Sequence, residues 1–159
     1  MMRYEFIITL THKKLAQKQS SSLATAAQLS NLGQILIAKE LNETKGVDEF
    51  MTLSKSYGVR YAEEHMLATT TNSVSAQILR FWKLPKEIID IIHFSDNPAE
   101  APEELLLSAL LNHLACEIFE LDGSLNAKLC EEMKLMLRRA GYSHAEIMNA
   151  AKLTVERLK

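Results

Sequence analysis

The chain is expected to fold as an all-α, compact multi-helix bundle, and two observations carry that expectation. Its five glycines and three prolines fall between segments of helical period, so the breakers separate elements instead of interrupting them. The segment ends also carry helix-end chemistry, with prolines and acids at starts and a basic turn before a glycine at a stop. Residues 3–18 form the first expected helix; a short strand over Phe6-Ile7-Ile8-Thr9-Leu10 is the alternative, because β-branched side chains lower helix propensity there. Ser20-Ser21-Ser22 reads as a break that supplies an N-cap hydroxyl to a helix reaching about Leu41, with Leu29, Leu32, Leu36 and Ile37 as its buried stripe. Asn42 to Gly46 ends it. Helices follow over about Val47 to Tyr57, stopped at Gly58, and about Arg60 to Leu67.

The next helix runs from about Thr71 to Lys83 and carries Val74, Ile78, Leu79, Phe81 and Trp82. Pro85 cannot continue a helix already under way but suits the first turn of a new one, and it pushes Leu84 toward extended geometry. A sharp helix–helix corner is the result. Ile88, Ile89, Ile91 and Ile92 bury one side of the following helix, which ends near Phe94 before a loop over Ser95 to Ala101. Pro102 with Glu103 and Glu104 opens a long helix closed by Asp122-Gly123. A helix from Ser124 to Ala140 places Leu125, Leu129, Met133 and Met136 on one stripe and ends on Arg138-Arg139 before a left-handed Gly141. The last helix starts at Ser143-His144-Ala145-Glu146, which has capping-box spacing. With no repeat, low-complexity tract or linker, residues 1–159 read as one domain.

Composition excludes several classes. A net charge of −2 gives no pull toward a polyanion, so no nucleic-acid partner is expected, including for a helix-turn-helix arrangement. The longest strongly apolar runs, such as Leu105 to Leu111, fall far short of the roughly 20 residues that span a bilayer, so no membrane partner is expected. The first residues lack the order of a signal peptide, with Lys13, Lys14 and Lys18 after the short apolar run and not before it. Cys116 and Cys130 sit on separate expected helices without C-x-x-C spacing and read as reduced thiols of a cytoplasmic protein.

The most specific stretch is Thr70 to Pro98, TTNSVSAQILRFWKLPKEIIDIIHFSDNP. Its Trp82-x-Leu84-Pro85 corner, amphipathic helix and Pro-terminated turn resemble the HDOD family, the HD-related output domains of bacterial signalling proteins. The resemblance covers about Leu29 to Leu158 and includes Arg139-Ala140-Gly141-Tyr142-Ser143 as the turn into the last helix. Metal-dependent phosphohydrolases of the broader HD type hold ions with histidines and aspartates, because the ion needs deprotonated donors while it polarises phosphate and activates water. Here the segment similar to their His-Asp pair has Ser30-Asn31. Thr71 stands where HDOD sequences commonly have a histidine, with Ser75 at the small residue four places on, and Ser95-Asp96 stands where they commonly have His-His. Asp96 is the single carboxylate of the set. The resemblance therefore implies no catalytic residues, no metal ligands and no cofactor, with Ser30, Asn31, Thr71, Ser95 and Asp96 as a vestigial pocket and Trp82, Leu84 and Pro85 as architecture.

The remaining polar residues support no enzyme. His12 reads as solvated surface, His65 as a partner of Glu63-Glu64, His93 as a helix C-terminal cation, His113 as a satisfied core residue and His144 as exposed. Cys116 lies three residues after His113 but lacks an orienting carboxylate. No Gly-rich phosphate cradle is present. Met133 and Met136 are core fillers, and Lys134, Arg138 and Arg139 a solvated helix end. The expected function is a non-enzymatic bacterial signal-transduction module working by protein–protein contacts. A small-molecule sensor that binds a nucleotide or phosphate in the vestigial pocket is the alternative, and a residual metal phosphohydrolase is third. HDOD domains usually carry a further N-terminal helical lobe, whereas only about 28 residues precede the resemblance here; apolar faces left without it favour burial at about 25 cal/mol per Å². A homodimer is the expected outcome.

Overall fold

Helix α1 (Met2–Thr11) buries Phe6, Ile7, Leu10 and Thr11, so the β-branched run is helical and the strand alternative does not occur. Core packing on the α1 face outweighs a propensity difference of a few tenths of a kcal/mol per residue. The computed structural model describes residues 1–119, 125–126 and 131–158, and among these it is an all-α bundle. Helix α2 (Gln17–Leu29) buries Leu23, Ala24, Ala26 and Ala27. The three serines lie inside α2 and do not precede it. Ser20 is itself buried with its hydroxyl against that of Thr11, which removes the competition that favours serine at caps.

The expected single helix to Leu41 is two helices, broken at Ser30-Asn31, with α3 running Leu32–Glu43. The break reorients the second half, so Gly33, Ile37 and Leu41 are buried while Leu36 is exposed. Helix α4 (Val47–Tyr57) buries no residue, and Gly58, at φ 93°, turns the chain into α5 (Val59–Leu67). Glycine suits that turn because an L side chain rarely adopts positive φ. Helix α6 (Thr71–Phe81) meets α7 (Lys86–Phe94) at the predicted corner. Lys83 adopts a left-handed φ of 58°, Leu84 packs on the core, and Pro85 sits directly before the first turn of α7. Trp82 caps α6 and is 57% exposed.

The loop after α7 contains a short 3-10 turn, Pro98–Glu100, before α8 (Glu103–Glu117). Helix α8 buries Ala109, Leu110, Leu111, Leu114 and Ala115, as expected of a helix apolar on most sides and enclosed by neighbours. Asp122-Gly123, Leu129 and Cys130 lie outside the described residues. The helix expected from Ser124 does not include Leu125, which bridges to Phe119, while the Asn126 amide donates to the Ile118 carbonyl. The pairing of Phe119 with Leu125 and of Ile118 with Asn126 holds Leu125 and Asn126 out of helical geometry. Helix α9 (Glu131–Arg139) buries Met133 and Leu137, with Met136 packed against the core, and Gly141 is left-handed at φ 85° as expected. Helix α10 (His144–Arg157) opens on the predicted capping box: Ser143 Oγ accepts from the Glu146 amide, and the Glu146 carboxylate accepts from the Ser143 amide. That bond, with Lys14, holds the Glu146 carboxyl at about 2, well below its ordinary value.

Helix α1 packs on α2, α8 and α10; α2 packs on α7 and α8; and α6 packs on α3 and α7, while α4 rests mainly on α5. The end of α2, the start of α6, the end of α7 and the middle of α8 consequently converge at one place. No helix among the described residues is long and apolar enough to cross a membrane.

Candidate functional site

Where those helices converge, the chain buries polar groups that need partners, since an unmet buried donor or acceptor costs about 1–3 kcal/mol. Ser30, Ser95 and Asn112 are all fully buried. Asn112 Nδ2 donates to Ser30 Oγ at 3.0 Å and to Ser95 Oγ at 2.6 Å. The two hydroxyls donate onward, Ser30 to the Ala26 carbonyl at 2.9 Å and Ser95 to the Ile91 carbonyl at 2.6 Å. Each serine thus satisfies an end carbonyl of its own helix while accepting from one amide on α8. A second knot lies beside it. Ser75 Oγ accepts from the Gly33 amide at 2.8 Å and shares its proton between the carbonyls of Ser30 and Thr71, tying α3 to α6.

The start of α6 is held by two carboxylates, each placed at the positive end of the helix dipole. Thr70 Oγ1 accepts from the Ser73 amide and donates to Asp96 Oδ2 at 2.5 Å, while Asn72 Nδ2 donates to Asp96 Oδ1 at 2.8 Å. Thr71 donates its amide to Glu63 Oε2 at 2.8 Å and its hydroxyl to Glu63 Oε1 at 2.5 Å. Burial raises the Glu63 carboxyl above its ordinary 4.5, against the two bonds from Thr71, and the nearby negative charge of Asp96 pushes the same way as burial. An acid raised on folding contributes stability that is full below its unfolded pKa and is lost as pH rises through the folded one. Glu63→Gln mimics the protonated acid. Its urea midpoint should match the parent near pH 4 and exceed it at pH 8; a variant weaker at pH 8 would contradict the assignment.

A cleft of about 650 Å³ opens beside these knots. Arg3 reaches into it from α1, donating from Nη1 to Asn31 Oδ1 at 2.6 Å and to Cys116 Sγ at 3.4 Å, and from Nη2 to the Cys116 carbonyl at 3.5 Å. Arg60 pairs with Glu64 at 2.9 Å and donates to the Asp96 carbonyl. His113 lines the cleft, half-buried, and burial lowers its pKa while Glu117 works against the shift. Burial pushes the Cys116 thiol up, with Arg3 opposing, so it is a thiol and not a thiolate at neutral pH.

The structure therefore brings Ser30, Asn31, Thr71, Ser95 and Asp96 into one neighbourhood, and places Trp82, Leu84 and Pro85 at the far end of α6. Sequence reasoning missed Arg3, Arg60, Glu63 and Asn112; the signal for Asn112 was an amide on the otherwise apolar face of α8. His65 does not pair with Glu63 or Glu64. It stacks on Tyr61 at 5.6 Å, because Glu63 turns inward to Thr71 and Glu64 is taken by Arg60. His12, His93 and His144 are exposed. Among the described residues no three His, Cys, Asp or Glu side chains converge as ion ligands. Ser30 and Ser95 are bonded through Asn112, Asn31 to Arg3 and Thr71 to Glu63, and both Asp96 carboxylate oxygens are occupied, so this donor set does not fit a divalent ion.

An all-α bundle whose helices meet at a buried knot of hydroxyl, amide and carboxylate hydrogen bonds defines the class. The chain belongs to the HDOD domain family, whose model matches residues 6–98 and so takes in α1 and α2, upstream of Leu29. This is a family of signalling-associated domains. A crystal structure of a virulence factor from Campylobacter jejuni subsp. jejuni shares the fold, with a TM-score of 0.69 and 20% sequence identity over 96% of this chain. The chain spans 60% of that protein's length. No curated protein matches it at a significant level.

Proposed function

We propose that the protein is a non-enzymatic signal-transduction module that acts through protein–protein contacts. The observation that supports this most is the buried knot of Ser30, Asn112 and Ser95, in which both serines spend their hydrogen bonds on Asn112 and on carbonyls of their own helices. A knot arranged in that way serves to join helices, since turning Ser30 or Ser95 toward a metal ion would break bonds already made. The outer surface offers contact chemistry: Phe81 is 83% exposed beside Trp82 at the α6–α7 corner, flanked by Arg80 and Lys83. Exposed aromatic and arginine side chains are the residue types that dominate protein interfaces. A second copy of the chain is the simplest partner.

Metal content and mass in solution test the proposal together on protein purified without chelators. Expected are no stoichiometric transition metal, no hydrolysis of nucleotides or cyclic dinucleotides, and a mass above that of the monomer. Bound metal with hydrolysis would end the non-enzymatic reading, and a monomer would remove self-association from it.

A further inference from the structure

We infer that the cleft bounded by α1, α4, α5 and α8 is a binding site for a small organic phosphate carrying a planar ring, gripped by Arg3 and Lys55. The acids and the cations of this cleft are not in the same condition. Glu63 and Asp96 have both carboxylate oxygens engaged by the start of α6. Arg3 faces only neutral acceptors and makes no ion pair among the described residues. Three of its donors are used of the five that a guanidinium carries. It is also held in place by Asn31 and Cys116, so little side-chain entropy remains to be lost when an oxyanion arrives. Lys55 on α4 lines the same cleft and likewise has no acid partner among the described residues. Glu117 also lines the cleft without an ion pair among the described residues, so the positive charge open to a ligand, on Arg3 and Lys55, exceeds the negative by one.

Volume and lining give the rest of the ligand. About 650 Å³ is more than a bare phosphate fills and lies within the roughly 300–1,000 Å³ of small-molecule sites. Phe50 and Tyr57 from α4 and Phe119 beyond α8 supply aromatic walls, the surface on which a planar ring stacks. Ser54 also lines the cleft, and its Oγ is buried without a hydrogen-bond partner. Such a group is satisfied by a ligand's polar edge. Because α4 buries no residue of its own, a ligand beneath it would cover apolar surface that the free protein leaves open.

The inference goes beyond the regulatory reading, since binding requires no hydrolysis. Calorimetric titration with the four ribonucleoside 5′-monophosphates, the matching nucleosides and inorganic phosphate tests it. At least one monophosphate should bind saturably at one per chain, with its nucleoside and inorganic phosphate each weaker by about tenfold or more. Arg3→Met should weaken it by about tenfold, and Lys55→Gln, at an exposed position that leaves the unfolding midpoint unchanged, by about threefold. No saturable monophosphate binding, bare phosphate binding equally well, or affinity unmoved by both substitutions would each overturn the inference. Hydrolysis of the bound probe would defeat the non-enzymatic proposal and leave this one standing.

Discussion

The Gly33→Ala variant should unfold roughly 10 °C below the parent, a loss of about 3 kcal/mol for a domain of this size. A Cβ at position 33 would overlap the Thr71 carbonyl oxygen and stand 2.8 Å from both the Ser75 amide nitrogen and Val74 Cβ. Two of those three neighbours are backbone, so no side-chain rotation relieves the overlap. Helix α3 would have to move away from α6, which also stretches the bond from the Gly33 amide to Ser75 Oγ. Urea and thermal unfolding measure the loss. A variant within about 0.5 kcal/mol of the parent, the ordinary range for a surface change, would show that the helices do not approach this closely.

Asn112→Ala should cost about 2–4 kcal/mol, because it empties a buried position and leaves Ser30 Oγ and Ser95 Oγ without their shared donor. Further variants separate the two causes. Asn112→Leu fills the space but keeps the two oxygens unmet, so it should recover only part of the loss. Adding Ser30→Ala and Ser95→Ala to Asn112→Leu removes every polar member, and such replacement can be nearly neutral. If the triple variant is no more stable than Asn112→Leu alone, the circuit is not what holds α2, α7 and α8 together.

Local chemistry was legible in the sequence and remote chemistry was not. The Pro85 corner and the Ser143–Glu146 box follow from residues a few positions apart, and both occur as read. The break at Ser30-Asn31 escaped because its cause is the close approach of Gly33 to α6, about 40 residues on. Ser20-Ser21-Ser22 offered a more conventional stop, and tertiary burial of Ser20 overrode it. The candidate site shows the same division. A resemblance in motif frame picked out Ser30, Asn31, Thr71, Ser95 and Asp96, yet Asn112, which joins two of them, is 82 residues from Ser30 and 17 from Ser95. Glu63 looked like half of a surface acid pair until α6 was seen to start against it.

Helix α4 has a thermodynamic consequence of its own. With no buried residue, and with a left-handed Lys45 before it and Gly58 after it, its detachment exposes little apolar area and leaves the α1–α2–α8 core intact. Its opening free energy therefore belongs near the bottom of the range that runs up to global unfolding. The domain is in effect two materials, a core that melts once and a peripheral helix whose amides should exchange with solvent hydrogen well before those of the core.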